Sequence, residues 1–166
     1  TIKATKKMLP VWQASGALFP SIYEASGINS YSDAFRLARM NSTVSMGIMA
    51  AKLAAAANKV NKRVPVYPFA WECYHNGSTF LTPNDVKLDM LDQYNAAADG
   101  LVVWGSMWEP GSTAHPHCQY DDQGRPSPYF DFVRTHTGPL IAAFEKRLSA
   151  CSQSSCHGHG RCKIVK

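Results

Sequence analysis

The chain has 166 residues, 45% of them apolar and 17% charged, a balance that fills one ordinary domain core and excludes wholesale disorder. No apolar run approaches the ~18 residues of a membrane-spanning helix. The net charge of +5 suits an anionic partner, but the basic residues are scattered apart from Lys6-Lys7 and Lys62-Arg63 and read first as solvated surface; no helix-turn-helix, RNP or zinc-finger pattern supports nucleic acid.

In chain order, Ala17 to Tyr23 is a short apolar run that predicts a strand. A polar stretch with Gly27, Asn29 and Ser30 follows, then a short helical turn over Asp33 to Met40. Thr43 to Lys59 predicts a helix, capped by Ser42 or Asn41, with Val44, Ile48, Ala51 and Ala55 on one stripe. Val64 to Ala70 is β-prone but carries Pro65 and Pro68, which weaken a strand. Trp71 to Phe80 reads as a loop. Thr82-Pro83-Asn84-Asp85 is a strong helix start, and Val86, Met90, Tyr94 and Ala97 then share a face up to Asp99-Gly100. Leu101 to Trp104 is fully apolar, as in parallel strands buried on both sides. After a loop from Gly105 to Gly124, Ser127 to Leu148 predicts a helix interrupted at Gly138-Pro139.

Strand, loop and helix therefore repeat, which predicts an α/β fold with a parallel sheet. About three strands are visible, too few to close a barrel. In a (β/α) barrel the chemistry sits at the C-terminal strand ends. That directs attention to Tyr23, to the aromatic group Tyr67, Phe69 and Trp71, and to Trp104.

Five cysteines stand at positions 73, 118, 151, 156 and 162, the last three in a Ser- and Gly-rich tail. A segment without an apolar core needs disulfides, which implies an oxidising compartment. His157 and His159 raise zinc, but the spacing fits no C-x2-C…H-x3-H pattern, so no metal is expected. The sequons Asn41-Ser42-Thr43 and Asn76-Gly77-Ser78 agree with secretion and make Asn41 and Asn76 candidate glycosylation sites.

These segments together resemble the hyaluronidases, the venom- and sperm-type enzymes of one glycoside hydrolase family. Ala17-Leu-Phe-Pro-Ser-Ile-Tyr23 is similar to their ALxPS-I/V-Y segment, and Val64-Pro-Val-Tyr-Pro-Phe69 to the following strand. Ala98-Asp-Gly-Leu-Val-Val-Trp-Gly105 resembles their last barrel strand, Thr137-Gly-Pro-Leu140 their last helix, and Cys151 to Cys162 the start of their EGF-like module. The resemblance runs in order from about Leu9 to Lys163. It implies that residues 1–149 are the C-terminal portion of a TIM-like (β/α) barrel, about three strand–helix units, and that 150–166 begin an EGF-like disulfide module. It further implies a secreted endo-β-N-acetylhexosaminidase that cuts hyaluronan, and often chondroitin, with retention and with help from the substrate's own acetamide. Venom spreading factors are among its relatives. No cofactor is implied.

The family's acid and its partner aspartate stand in a D-x-E motif, which this chain lacks in either order. The expectation is that these acids precede the chain and that the chain alone is inactive. Its start, Thr1 with no initiator Met or signal peptide, fits that expectation. Of the four glutamates, Glu24 and Glu72 could line a cleft, but they and Glu109 and Glu145 read first as solvated surface. Two positions carry over. Tyr23 would hydrogen-bond substrate near the acetamide, and Trp104 would form the floor under the N-acetyl sugar. Tyr67 and Trp71 are weaker cleft candidates, followed by Phe69, Tyr74 and Trp108; Trp12 reads as packing, and His115 and His117 as surface. The resemblance pairs Cys151 with Cys162 and sends Cys118 and Cys156 to cysteines outside the chain, with Cys73 unplaced. The alternative reading is a non-catalytic hyaluronan-binding or adhesion protein of the same fold.

Overall fold

A computed structural model of the chain describes residues 2–24, 31–74, 80–103, 128–159 and 162. Its helices are α1 (Ile2–Ala14), α2 (Asp33–Ala57), α3 (Pro83–Asn95), α4 (Pro128–Phe132) and α5 (Gly138–Cys156); its strands are β1 (Phe69–Ala70) and β2 (Val102–Val103).

Three extended segments lie side by side, all parallel, with 64–70 in the middle. Phe69 pairs with Val102 and Ala70 with Val103 on one flank. On the other flank, bridges join Leu18 to Val66 and Ser21 to Phe69. The predicted strands at 17–23 and 64–70 and the apolar run beginning at Leu101 are therefore neighbours. Formal pairing is short because the middle segment carries two prolines, which have no N–H to donate. Their carbonyls still accept, Pro65 from the Leu18 N–H and Pro68 from the Val102 N–H, both at 2.9 Å. The Val66 N–H turns instead to the Asp99 carboxylate at 2.8 Å. Arg63 grips that carboxylate with two bonds of 2.5 and 3.3 Å, so an ion pair clamps the N-terminal ends of the segments.

Alternation along the segments divides the sheet into two faces. Leu18, Ile22, Val66 and Ala70 pack against Met40, Val44, Ile48 and Ala51 of α2. Burying each of the larger side chains there stabilises the layer by about 1.5–3 kcal/mol. The opposite face carries aromatic rings. Phe19, 47% exposed, stacks on Phe69 at 5.1 Å and leans on Tyr67 at 6.0 Å.

Helix α2 departs from the sequence reading. It is one helix of 25 residues, capped by Ser32, whose hydroxyl accepts from the Phe35 N–H at 3.3 Å. Asn41 and Ser42 lie in its interior and cap nothing. Thr43 bonds back to the Arg39 carbonyl at 3.2 Å, the in-helix use of a residue type that also caps. The buried stripe runs Arg36, Met40, Val44, Ile48, Ala51, one turn apart throughout, and Ala54 rather than Ala55 completes it.

Helix α3 starts as its sequence predicts. The Thr82 hydroxyl accepts from the Asp85 N–H at 3.2 Å and Asp85 accepts from the Thr82 N–H at 3.3 Å, a reciprocal capping box around Pro83. Its end comes earlier than expected. Ala97 has φ of 67° and is exposed, while Ala98 is buried, so the expected face does not reach Ala97. From 128 to 156 the chain is helical, with a wide π turn at Val133–Thr137 immediately before Gly138-Pro139. The Gly138 N–H bonds back to the Val133 carbonyl across that turn. A Cβ on Gly138 would stand 3.0 Å from that oxygen, which explains the glycine. The predicted interruption is thus a widening. Helix α5 continues beyond Leu148 through Cys151 and Cys156, and Cys151 is bonded to Cys162. Among the described residues no helix is long and apolar enough to cross a membrane.

Candidate functional site

The C-terminal ends of the first and middle segments meet on the aromatic side of the sheet. Tyr23 ends the first segment and Trp71 follows β1; their ring centres are 6.2 Å apart and tilted by 58°. Both are half-buried. Burial pushes the Tyr23 phenol above its ordinary 10.0, so it remains a protonated donor at any physiological pH. Tyr67 lies further down the same face, beside Phe19. Trp104, the other residue expected at a strand end, is outside the described residues, as are Trp108, Glu109, His115, His117, Asn76 and Cys118.

Directly after each aromatic comes a carboxylate, and both are buried rather than solvated. Glu24 is 1% and Glu72 4% exposed, against the expectation for both. The reason is a partner in each case. The Arg36 guanidinium takes both oxygens of Glu24, at 3.2 and 2.5 Å, and reaches Asp85 at 2.6 Å. Asp85 also accepts from the Thr82 hydroxyl at 2.7 Å and from the Tyr74 phenol. Buried Glu24 and Asp85 share Arg36 with a third, exposed carboxylate, Asp33, at 3.5 Å. Burial raises both acids. At Asp85 the donors Thr82, Tyr74 and Arg36 outweigh it and hold the carboxyl below its ordinary value. At Glu24 burial, reinforced by the Asp85 charge, outweighs the Arg36 hydrogen bonds and leaves the carboxyl above its ordinary value. Burial likewise opposes the charge on Arg36, and its two carboxylates more than offset that.

Glu72 accepts from the Tyr129 phenol of α4 at 2.9 Å, and burial raises its carboxyl despite that bond. Behind Trp71 and Glu72 a cavity of about 10 Å³, lined by Ala70, Leu81, Val86 and Val103 among others, has room for one water and not for a sugar ring.

Tyr74, a weaker cleft candidate from the sequence, is 5% exposed and belongs to the core around Asp85 and Leu81. Asn41 sits within α2 with its side-chain oxygen buried and without a hydrogen-bond partner among the described residues. Cys156 lies on α5, in no disulfide among the described residues, and Cys73 follows β1. The Glu24–Arg36–Asp85 cluster was not read from the sequence. Asp85 was legible as a helix-start acid; its pairing with Arg36 was not.

Comparison with known proteins decides the family. A family model described as Hyaluronidase matches residues 1–166. The chain belongs to the hyaluronidase family. Among relatives, Hyaluronidase-2 of Homo sapiens is 28% identical over 152 residues, which is 92% of this chain and 29% of that protein. Hyaluronidase-1 of Sus scrofa is 30% identical over 154 residues, 92% of this chain and 31% of that protein. The crystal structure of bee venom hyaluronidase covers 84% of this chain and 39% of its own, at 18% identity and a TM-score of 0.65. A second structure, bee venom hyaluronidase in complex with a hyaluronic acid tetramer, aligns at a TM-score of 0.59 and 20% identity, covering 84% of this chain and 38% of that one. The fold is therefore hyaluronidase-like, and the chain spans about three-tenths of the length of the hyaluronidase relatives it matches.

Proposed function

We propose that the protein carrying this chain is a secreted endo-β-N-acetylhexosaminidase that cleaves hyaluronan at β-1,4 bonds, with chondroitin as a second substrate, and that this chain supplies one wall of its cleft. The observation that carries the reading is the Tyr23–Trp71 pair at the C-terminal strand ends, on the sheet face away from the helices, in a chain of this family. Barrel enzymes place their chemistry at that end. The bee venom structure holding a hyaluronic acid tetramer supports a glycosaminoglycan substrate.

In this reading the protonated Tyr23 phenol donates to the substrate's acetamide as charge develops there, a bond that strengthens in the transition state. Trp71 and Trp104 offer ring faces to the apolar faces of the sugars. The D-x-E acids come from outside these 166 residues, and the acetamide itself attacks the anomeric carbon with retention. Exposed Arg39, which donates to the Tyr23 carbonyl at 3.5 Å, adds positive charge near an anionic polymer. The Cys151–Cys162 bond supports an oxidising, extracellular setting. In the same reading residues 150–166 lead into an EGF-like module, Cys118 and Cys156 pair beyond the chain, and Asn41 and Asn76 remain sequons.

The test is hyaluronan depolymerisation by the full-length protein. Tyr23→Phe is expected to lower kcat on the order of a hundredfold, the usual cost of one transition-state donor. Unchanged cleavage in Tyr23→Phe would remove the phenol from the mechanism. Binding without cleavage in the wild type would favour the non-catalytic hyaluronan binder.

A further inference from the structure

Near the C-terminal end of the first segment the Ile22 N–H donates to the Phe69 carbonyl at 3.0 Å. Two residues on, Glu24 is anchored by its side chain, which is fully buried and held through both oxygens by Arg36. The same guanidinium reaches Asp85 at the start of α3, and one turn along α2 Arg39 donates to the Tyr23 carbonyl. The end of the first segment, α2 and α3 are thus joined at one buried side chain, 3% exposed.

We propose that Arg36 is the positioning residue for Tyr23: through Glu24 it fixes the direction in which the phenol leaves the strand end. The inference rests on the reading that Tyr23 meets the sugar. Stability alone does not account for the cluster. Taking three charges out of water costs about as much as their attraction returns, and apolar replacements of such groups are often neutral or stabilising. What a guanidinium adds is orientation. Its planar fork fixes an angle as well as a distance, whereas a lysine in the same place offers a point charge. The fork grips the residue next to Tyr23, at the C-terminal end of the first segment.

The experiment uses the full-length protein labelled with fluorotyrosine, with the Tyr23 resonance assigned by its loss in Tyr23→Phe. Arg36→Lys keeps the charge and removes the fork. Arg63→Lys makes the same exchange in the Arg63–Asp99 pair at the other end of the segments. The Tyr23 resonance is expected to shift or broaden in Arg36→Lys and to stay in place in Arg63→Lys. A Tyr23 resonance unmoved in folded Arg36→Lys overturns the proposal. If Arg36→Lys does not fold, Glu24→Gln, which keeps an accepting oxygen, carries the same test. On hyaluronan, Arg36→Lys is expected to lower kcat about tenfold or more with KM within about twofold, and to add nothing in the Tyr23→Phe background. Losses that multiply in the double variant mean that Arg36 acts independently of Tyr23, and also overturn the proposal. A wild type that does not cleave hyaluronan sinks the proposed function, while the fluorine spectra still decide the positioning.

Discussion

Glu72 carries a pH dependence that follows from where it sits. Burial raises its carboxyl above 4.5, and the Tyr129 hydrogen bond reduces the rise without cancelling it. A folded-state value above the unfolded one means that folding favours the protonated acid. That contribution is complete below about pH 4.5 and is lost as pH rises through the raised value. Glu72→Gln mimics the protonated form and can still accept from Tyr129. The expected outcome is a urea midpoint that falls less than the wild type's between pH 4.5 and neutrality. An identical slope in the two proteins would show that Glu72 does not titrate there. Asp85 works in the opposite sense: its lowered value adds stability above 3.8 that is lost on acidification. Tyr23 and Trp71 were legible in the sequence because a motif and a strand end mark them. The burial of Glu24 and Glu72 was not, because it depends on Arg36, 12 residues away, and on Tyr129, 57 residues away. Partners at such separations leave no local pattern.

At the scale of elements, the layer of α2 on the sheet depends on one close approach. A Cβ on Gly47 would stand 3.1 Å from the Pro20 ring and 3.3 Å from Val66, whose own exposure is 0%. Neither neighbour is the free end of a flexible chain. Gly47→Ala is therefore expected to destabilise by about 1–3 kcal/mol in chemical denaturation, the usual cost of overpacking. Gly16→Ala, with nothing within 4 Å, is the control and should stay within about 0.5 kcal/mol. Equal stabilities for the two variants would mean that α2 moves freely on the sheet. The sequence predicted the three segments, the α3 cap and the stripe Val44, Ile48, Ala51. It split α2 at Asn41 because Asn, Ser and Thr serve both as caps and as in-helix residues bonding back to a carbonyl. Local chemistry is identical in the two cases; the continuous stripe from Arg36 to Ala51 settles which one occurs.

For the whole molecule, the two sheet faces have different roles. One is sealed by α2 and by the start of α3. The other presents Phe19, Tyr67, Phe69, Tyr23 and Trp71 in a row that rises toward the strand ends. Under the proposed function the second face looks into the barrel, and its upper end is where the proposed polysaccharide substrate lies. The alternation of strand and helix predicts a parallel sheet, and the parallel order 17–23, 64–70, 99–103 follows it. What the alternation could not supply is the ionic junction behind the aromatics, since charges there read as surface.

The most direct measurement is aromatic-ring NMR of the full-length protein titrated with a hyaluronan tetrasaccharide, with rings assigned by single substitutions. Saturable shifts at Tyr23 and Trp71, with Trp12 on α1 unaffected, are the predicted result. Saturable binding that leaves Tyr23 and Trp71 unmoved would contradict the account, because the sugar would then sit away from the strand ends.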